Sequence, residues 1–249
     1  MTRVRNNGQD FDFPDDFIGS IGNGLVVGAG QIKQTIRQGG RWVSHLEGTP
    51  APPPVTALFW NPADANGGML LTNTGGSNKT AVQRQNGAPI GVRSNIPLIG
   101  KSYVELIINQ RAGTMSIGLA LSSASLSGYI GSSTSAFVVL INGGGGGQFF
   151  YGSAGQGTAG FYSSVGGDRL CMAIDKATGK LWVRLNNGVW QGDDFNNNPN
   201  TALGGASIQI SGSTYLAMST DVYDDSVTIC SSNASVLYGI PTGFSTPEA

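Results

Sequence analysis

Apolar and polar side chains alternate in several short segments, and this period of two constrains the fold more than any other feature of the chain. In residues 169–175 every second side chain from Leu170 onward is large and apolar. Residues 180–185 repeat the pattern from Leu181 onward, and such alternation is typical of half-buried β-strands. The polar stretch between these segments predicts a hairpin turn with a positive φ at Gly179. Across the chain the pattern predicts strands at 102–109, 116–121, 137–141, 169–175, 180–185, 207–210, 215–219 and 226–230.

The composition agrees with short strands joined by many turns. Glycine supplies 39 of the 249 residues, and charged residues make up only 12% of the chain, against about 25% in a typical domain. No stretch has the apolar spacing of an amphipathic helix. We therefore predict an all-β fold, an antiparallel β-sandwich, in which the residues after position 57 suffice to enclose a core.

Residues 1–57 differ from the rest of the chain. An acidic aromatic segment at 10–17 is followed by an apolar run spaced by glycines, and a proline-rich stretch at 50–54 closes the region. Because each proline fixes φ, that stretch predicts a stiff, extended spacer. We predict an extended N-terminal arm with a Pro-rich linker over residues 1–57 and a sandwich domain over residues 58–249. The arm is expected to bind a partner or a sister subunit through Phe11, Phe13, Phe17, Leu25, Val27 and Trp42.

The charge balance argues against several classes of partner. The chain has 14 basic and 15 acidic side chains and a net charge of −1, without the basic excess that contacts with phosphates require. Nucleic acid and an electrostatic membrane anchor are therefore not expected. No apolar run reaches the roughly 20 residues of a membrane-spanning helix, and the first residues lack the apolar core of a secretory signal. We expect synthesis in a cytoplasm without a signal peptide, and no insertion into a membrane.

The sequence offers no convergent set of catalytic groups. His45 is the only histidine and falls in the arm, so a Ser-His-Asp arrangement has no support. The aspartates within 193–194 and 221–225 are the candidates for a glycosidase pair, but polar turns are the preferred interpretation of both segments. The segment 193–198 lacks the ligand spacing of a calcium loop. We therefore predict no enzyme activity, no cofactor and no metal site.

The cysteines and the glycine runs have plain structural interpretations. Cys171 and Cys230 fit the pattern of small buried apolar residues, while a disulfide between them stays open although no spacing motif supports it. The five glycines at 143–147 are not followed by the helix and lysine of a phosphate loop, so we interpret them as a loop tip. Residues 152–160 are predicted to form a second glycine-rich polar loop.

Six short motifs follow one another in order after residue 59. They include a K-x-Y-x-E strand at 101–105, a G-K-x-W…N-G-x-W pair at 179–190 and a closing P-x-G-F at 241–244. Together with the segments 60–73, 117–120 and 167–175, they resemble the SPRY-like (concanavalin-type) sandwich domains found in phage virion proteins, over about three quarters of the chain. The resemblance implies a SPRY/concanavalin-like jelly roll. The segment 229–233 departs from the family pattern, which leaves the strand register there open.

The resemblance also implies a function, by analogy of fold. It suggests a bacteriophage virion structural protein, a fibre, spike or adhesion component that recognises a glycan or protein of the host cell surface. A purely structural capsid or tail decoration protein is the alternative. A glycan hydrolase is disfavoured by the missing acid–base groups, and an intracellular adaptor of the eukaryotic SPRY kind by the phage-like entry motif. The expected location is the virion surface, with other virion proteins bound to the arm and a homo-oligomer, preferably a trimer, as the assembly.

Polar loops of the sandwich supply the candidate ligand contacts. Amides and carboxylates hydrogen-bond to hydroxyl groups, and aromatic rings stack on the apolar faces of sugars. A fold-making role is preferred for both Trp182 and Trp190, and stacking on a ligand is the alternative. The predicted contact residues are Asn187, Trp190, Asp193, Asp194, Asn197, Asp221, Tyr223 and Asp224.

Overall fold

The chain divides into two units, Met1–Val55 and Thr56–Ala249. The computed structural model describes the backbone of four strands in the first unit, and in the second unit residues 57–72, 79–142, 146–161, 164–193 and 195–248. The domain boundary predicted from the sequence follows residue 57.

The first unit contains two β-hairpins. β1 (Thr2–Asn6) pairs antiparallel with β2 (Gln9–Phe13), and β3 (Gln34–Gln38) pairs antiparallel with β4 (Arg41–His45). The proline-rich stretch lies outside the described residues. The predicted contact side chains of the arm also lie outside the described part, namely those of Phe11, Phe13, Phe17, Leu25, Val27 and Trp42. Their attachment role therefore stays a prediction.

The second unit is a sandwich of two antiparallel sheets. Its strands are β5 (Met69–Thr72), β6 (Thr80–Gln83), β7 (Ile90–Leu98), β8 (Lys101–Gln110), β9 (Met115–Leu121), β10 (Ala136–Ile141), β11 (Gly147–Tyr151), β12 (Ala154–Thr158), β13 (Arg169–Asp175), β14 (Lys180–Leu185), β15 (Ala206–Ser207), β16 (Thr214–Thr220) and β17 (Ser226–Cys230). The six-stranded sheet has the order β12-β11-β10-β9-β16-β7, and the seven-stranded sheet has the order β15-β14-β13-β8-β17-β6-β5. Among its connections are three short 3-10 helices, η1 (Ile130–Ser132), η2 (Trp190–Gly192) and η3 (Pro199–Thr201). Within the described residues, no helix has the length and apolar content needed to cross a membrane.

Seven of the eight predicted strands are confirmed, with small shifts at their ends. The prediction of a strand at 207–210 is wrong, because β15 covers only two residues. β15 lies at the edge of its sheet and pairs only with Lys180 and Leu181 of β14. Its length is therefore set by the partner strand and not by the apolar residues that follow Ser207.

The turns between strands test two further predictions, the hairpin turn at Gly179 and the loop at 152–160. Gly179 has a φ of 63°, which confirms the predicted hairpin turn between β13 and β14. The predicted loop at 152–160 is wrong, since β12 pairs with β11 there. Gly152 and Ser153 have φ values of 58° and 64°, the left-handed conformation that a two-residue hairpin turn requires.

The alternating apolar side chains meet between the two sheets. Leu170, Met172 and Ile174 of β13 are completely buried in this core. On the other sheet, Phe137 stacks on Phe149 with ring centroids 5.7 Å apart. Complete burial of one such side chain stabilises the fold by about 1.5–3 kcal/mol, so the period-two pattern that predicts the strands also builds the interior.

Each sheet carries a second apolar cluster on its outer face. On the seven-stranded sheet this cluster contains Tyr103, Cys171, Ala173, Trp182 and Trp190. Phe244 of the closing motif meets the Trp182 ring edge-on at 6.1 Å. On the six-stranded sheet the outer cluster contains Ala120, Ala124, Ile130, Ala136, Val138 and Ala217. Ala124 and Ile130 belong to the connection 122–135, which therefore folds back over the outer face of that sheet.

The K-x-Y-x-E motif ties the closing segment to the seven-stranded sheet. Alternation along β8 puts Tyr103 and Glu105 on one face, and the Tyr103 hydroxyl donates to Glu105 at 2.9 Å. Glu105 is completely buried and also accepts a hydrogen bond from Arg169 Nη1 at 2.7 Å. The backbone N–H groups of Leu237 and Tyr238 donate to the same carboxylate at 2.8 and 2.7 Å. A buried carboxylate persists where such partners satisfy it.

Lys79 and Glu248 join the two ends of the sandwich. Glu248 Oε1 accepts hydrogen bonds from Leu58 N at 2.7 Å and from Ser231 Oγ at 2.6 Å, and it forms an ion pair with Lys79 Nζ. Lys79 Nζ also donates to the Leu58 carbonyl. Burial alone would raise the pKa of Glu248, but the hydrogen bonds from Lys79 and Ser231 outweigh it and hold the pKa below its ordinary value of 4.5.

Candidate functional site

A pocket of about 180 Å³ lies on the outer face of the six-stranded sheet. Its lining comes from η1, from the start of β9 and from β10 and β11. The lining residues are Thr114, Ser116, Tyr129, Gly131, Ser132, Leu140, Asn142 and Phe150. Ser132 is exposed and so marks the rim, whereas Ser116 is completely buried and so lies at the floor.

Local sequence explains how the pocket forms. Met115 and Ile117 of β9 point into the core, so Ser116 between them points to the outer face. The connection that carries η1 is fixed to the sheet by the Ile130 N–H, which donates to Ser219 Oγ of β16 at 3.1 Å. A Cβ added at Gly131 would lie 2.5 Å from Val138 Cγ2. Glycine therefore lets η1 come close enough to the strands to wall the pocket.

Two polar atoms of the pocket have no hydrogen-bond partner among the described residues. Ser116 Oγ and Asn142 Oδ1 are both buried, and they are two of seven such side-chain atoms in the described part of the chain. An unsatisfied buried polar group costs about 1–3 kcal/mol, and most buried polar groups are paired for that reason. A ligand in the pocket would supply the partners that the fold leaves out.

Tyr129 connects the pocket to an acidic turn. Its hydroxyl donates to Asp221 Oδ2 at 2.6 Å, and Asp221 Oδ1 accepts a hydrogen bond from the Thr114 N–H at 3.2 Å. Burial, and then the hydrogen bond to Asp221, raise the pKa of Tyr129 to about 12. The hydroxyl therefore keeps its proton and donates it to Asp221, while the Thr114 side chain lies within hydrogen-bonding reach of the Tyr129 oxygen.

The charged groups near the pocket lie behind its lining and not in it. None of the eight lining side chains carries a formal charge at neutral pH. Asp221 lies one hydrogen bond behind Tyr129, and Asp225 in the same turn is completely buried. Asp225 accepts hydrogen bonds from the Ala112 N–H at 2.5 Å and from Thr220 Oγ1 at 2.7 Å. The pocket is thus neutral at its surface, with negative charge at greater depth.

The lining has no group suited to proton transfer near neutral pH. Tyr129 is its only ionisable side chain, and a pKa of about 12 is far from the neutral range in which general acids and bases work. Across the described residues, no three His, Cys, Asp or Glu side chains cluster in a way that could hold a metal ion. The absence of enzyme activity, cofactor and metal stays a prediction.

Three of the predicted contact residues lie in the turn between β16 and β17. Asp221 supports the pocket through Tyr129. Tyr223 and Asp224 instead form a surface cluster with Arg84. The Arg84 guanidinium lies 5.5 Å from the centre of the Tyr223 ring, and Arg84 Nη1 lies 2.7 Å from Asp224 Oδ1. The structure therefore links only Asp221 of these three to the pocket.

The turn after β14 holds two more of the predicted residues. Asn187 is exposed there. The Trp190 side chain is only 5% exposed, and its ring lies under the Arg184 guanidinium, 4.5 Å from the ring centre. This burial leaves little ring surface for a ligand and favours the fold-making role of Trp190 over stacking on a ligand. Trp182 is completely buried and donates from its indole nitrogen to the Leu203 carbonyl at 2.8 Å, which confirms its fold-making role.

The remaining predicted residues shape the connection between β14 and β15. Hydrogen bonds from the Asn196 side chain and N–H and from the Phe195 N–H lower the pKa of Asp193. Asn197 Oδ1 accepts a hydrogen bond from the Gly205 N–H at 3.1 Å. These bonds are those of polar turns, the interpretation that the sequence favours for this segment. Asp194 lies outside the described residues.

No sequence pattern marks Ser116, Tyr129 or Asn142 as a site residue. A serine on the outward face of a strand is ordinary, and the other two lie in connections whose paths no local pattern predicts. The acidic turn was the available signal, because Asp221 marks the neighbourhood of the pocket.

The architecture defines the class of fold. Two packed antiparallel sheets, with the closing segment tied to the outer face of one of them, form a SPRY-type β-sandwich, which confirms the predicted fold class. The structure is similar to that of the SPRY domain of human HERC1, with a TM-score of 0.52 and 13% sequence identity over 69% of this chain and 96% of that one. It is also similar to the PSpry domain of TRIM65, with a TM-score of 0.50 and 14% identity over 70% of this chain and 91% of that one.

A further similarity is to a larger protein. The stonustoxin structure matches with a TM-score of 0.51 and 16% identity over 70% of this chain, which corresponds to 28% of the stonustoxin chain. No protein-family model and no curated protein sequence matches the chain. Identities this low show the fold alone, so the function has to be argued from the site.

Proposed function

We propose that the protein is a non-catalytic recognition component whose sandwich binds a ligand in the pocket of the six-stranded sheet. The observation that carries this proposal is that Ser116 Oγ and Asn142 Oδ1, both buried and both without a partner among the described residues, line one pocket. Natural proteins retain groups that cost stability mainly where function uses them. The fold would be more stable if these positions were apolar or if their polar atoms were hydrogen-bonded within the protein. Ser116 Oγ and Asn142 Oδ1 meet neither condition among the described residues.

The chemistry of the lining supports binding. Hydroxyl and amide groups offer hydrogen bonds, while Leu140 and Phe150 offer apolar surface. A mainly apolar or neutral wall with a few convergent polar groups is typical of small-ligand sites. Without a charged or readily ionised group at the surface of the pocket, recognition fits this lining better than bond cleavage does.

The setting that we propose is the surface of a bacteriophage particle, with the protein as a fibre, spike or adhesion component. The ordered motifs that resemble phage SPRY-like domains support this setting. The separate first unit supports an attachment role for the arm. In this proposal the arm binds other virion proteins, the assembly is a homo-oligomer such as a trimer, and the ligand belongs to the host cell surface.

Binding of the full-length protein to a glycan array and to intact bacterial cells tests the proposal. Ser132→Trp places a large ring at the exposed rim of the pocket and is expected to weaken binding at least about tenfold. Ser123→Trp is the matched control, because Ser123 is exposed on the same connection and does not line the pocket. Equal binding by the wild type and Ser132→Trp would show that recognition uses another surface.

A decoration protein without receptor binding is the competing function. It predicts that the full-length protein attaches to phage particles but binds neither cells nor any arrayed glycan. That pattern, obtained with protein whose circular dichroism shows a folded β-structure, would reject the recognition proposal.

A further inference from the structure

We infer that the pocket binds a neutral sugar residue, whose hydroxyl groups reach the pocket floor and whose ring packs against Phe150. This inference rests on the proposed function and narrows it to one chemical class of ligand.

The polar groups of the pocket include both hydrogen-bond donors and acceptors. Asn142 Oδ1 can only accept, whereas the Asn142 amide nitrogen and the hydroxyl groups of Thr114, Ser116 and Ser132 are able to donate. The Tyr129 hydroxyl already donates to Asp221 Oδ2 at 2.6 Å. A ligand that fits these groups both donates and accepts, and neighbouring hydroxyl groups on a sugar ring do both.

The charge distribution disfavours acidic and basic ligands alike. The lining has no Lys or Arg to pair with a carboxylate, a sulfate or a phosphate. An anion in the pocket would lose water close to the carboxylates of Asp221 and Asp225, which costs free energy. Those carboxylates do not require a cation either, because each already accepts hydrogen bonds from at least two protein groups. A neutral ligand fits best.

The apolar side of the pocket separates a sugar from a peptide amide. Leu140 and Phe150 lie on the paired strands β10 and β11, two register positions apart, and both are partly buried. Aromatic rings present apolar area against which the C–H face of a sugar packs. An amide group would satisfy the acceptors but would leave this side of the pocket uncovered.

The size of the pocket limits the ligand to one residue. Its volume of about 180 Å³ is below the roughly 300–1,000 Å³ of sites for drug-sized molecules. Because the rim at Ser132 is exposed, a longer glycan can continue into solvent. The pocket therefore suits the terminal residue of a glycan.

Ligand-observed saturation-transfer NMR on the full-length protein tests this assignment. The probes are methyl glycosides of neutral hexoses and N-acetylhexosamines, with glucuronate and N-acetylneuraminate as acidic counterparts. At least one neutral glycoside is expected to receive saturation, and the acidic probes are expected to receive none. Ser116→Ala and Asn142→Leu each remove one group at the floor and are expected to weaken sugar binding roughly tenfold.

Ser164→Ala is the matched control for Ser116→Ala. Ser164 Oγ is also buried without a partner among the described residues, but it does not line the pocket. Both variants are expected to keep or raise the melting temperature, because neither hydroxyl has a hydrogen bond to lose. Only Ser116→Ala is expected to lose sugar binding.

The outcomes separate this inference from the proposed function. Binding of an acidic probe that Ser116→Ala weakens would overturn the sugar assignment and leave the pocket as a recognition site. A different result is that a neutral sugar binds equally well to the wild type and to Ser116→Ala, Asn142→Leu and Ser132→Trp. That result would overturn both the sugar assignment and the proposed recognition function of the pocket. Saturation of none of these probes would overturn the sugar assignment.

Discussion

Cys171 and Cys230 are both buried and both free thiols, which confirms their interpretation as small apolar residues. Burial raises the pKa of the Cys171 thiol to about 11, and burial also raises the pKa of Cys230 above its ordinary value of 9.0. Because the thiolate is the reactive form, we expect neither thiol to react with DTNB in the native protein at neutral pH, and both to react after denaturation. Rapid reaction of one thiol in the native chain would contradict the buried placement.

Single residues differ in how far the sequence predicts their roles. Gly179 and Trp182 were predictable, because a hairpin turn and an alternating strand each define a local environment. Ser116 and Asn142 were not. Their buried polar atoms lack hydrogen-bond partners among the described residues because of the way the connection 122–135 folds over the sheet. No nearby sequence pattern predicts that path.

At the scale of elements, the ion pair between Lys79 and Glu248 holds the last residues against the start of the sandwich. The folded pKa of Glu248 lies below its ordinary value of 4.5, so this stabilisation is complete above that value and is lost as the pH falls through the folded pKa. Glu248→Gln is expected to lower the free energy of unfolding by about 1–3 kcal/mol at neutral pH. The difference from the wild type should shrink as the pH falls below 4.5 and through the folded pKa, as urea unfolding over a range of pH would measure.

Asp224→Asn serves as the control for an exposed ion pair. The side chains of Arg84 and Asp224 are 42% and 54% exposed, and pairs of that kind contribute about 0–1 kcal/mol. The free energy of unfolding of Asp224→Asn should therefore stay within about 1 kcal/mol of the wild-type value at each pH. If Glu248→Gln keeps a constant difference from the wild type down to low pH, the ion pair has no part in the stability.

The sequence predicted the inner strands better than those at the sheet edges. β12 reads Ala-Gly-Gln-Gly-Thr, is fully exposed and has no apolar alternation, so pairing with β11 makes it a strand and its own residues do not. β7 contains Pro97, which suits its place at the edge of the six-stranded sheet but obscures the pattern. Edge strands of this kind are visible only once the sheet is assembled.

At the scale of the whole molecule, the division into two units predicts that the sandwich folds without the arm. Deletion of residues 1–50 is expected to leave a soluble β-protein whose melting temperature differs from that of the full chain by less than about 4 °C, equivalent to roughly 1 kcal/mol. Scanning calorimetry and far-UV circular dichroism of both proteins would measure this. A larger fall in melting temperature would mean that the first unit contributes to the stability of the sandwich.

The sandwich class was predictable from the sequence, whereas the order of its strands was not. β8 lies between β13 and β17, its neighbours in the seven-stranded sheet, although both follow it at a distance in the chain. Such long-range pairings, and the way connections cover the outer faces, decide where a pocket forms. For this reason the period-two pattern predicts the fold class, while most of the pocket can be recognised only in the assembled structure.

The bond between Glu248 and Leu58 brings the entry and exit of the sandwich to one pole. β17 starts at Ser226, beside the acidic turn that supports Tyr129, and ends beside Ser231, which also bonds to Glu248. A strand of five residues spans about 17 Å, so the turn that supports the pocket stands at the opposite pole. Chain attached directly at Leu58 or Glu248 therefore meets the sandwich at one pole, with the turn behind the pocket at the far side.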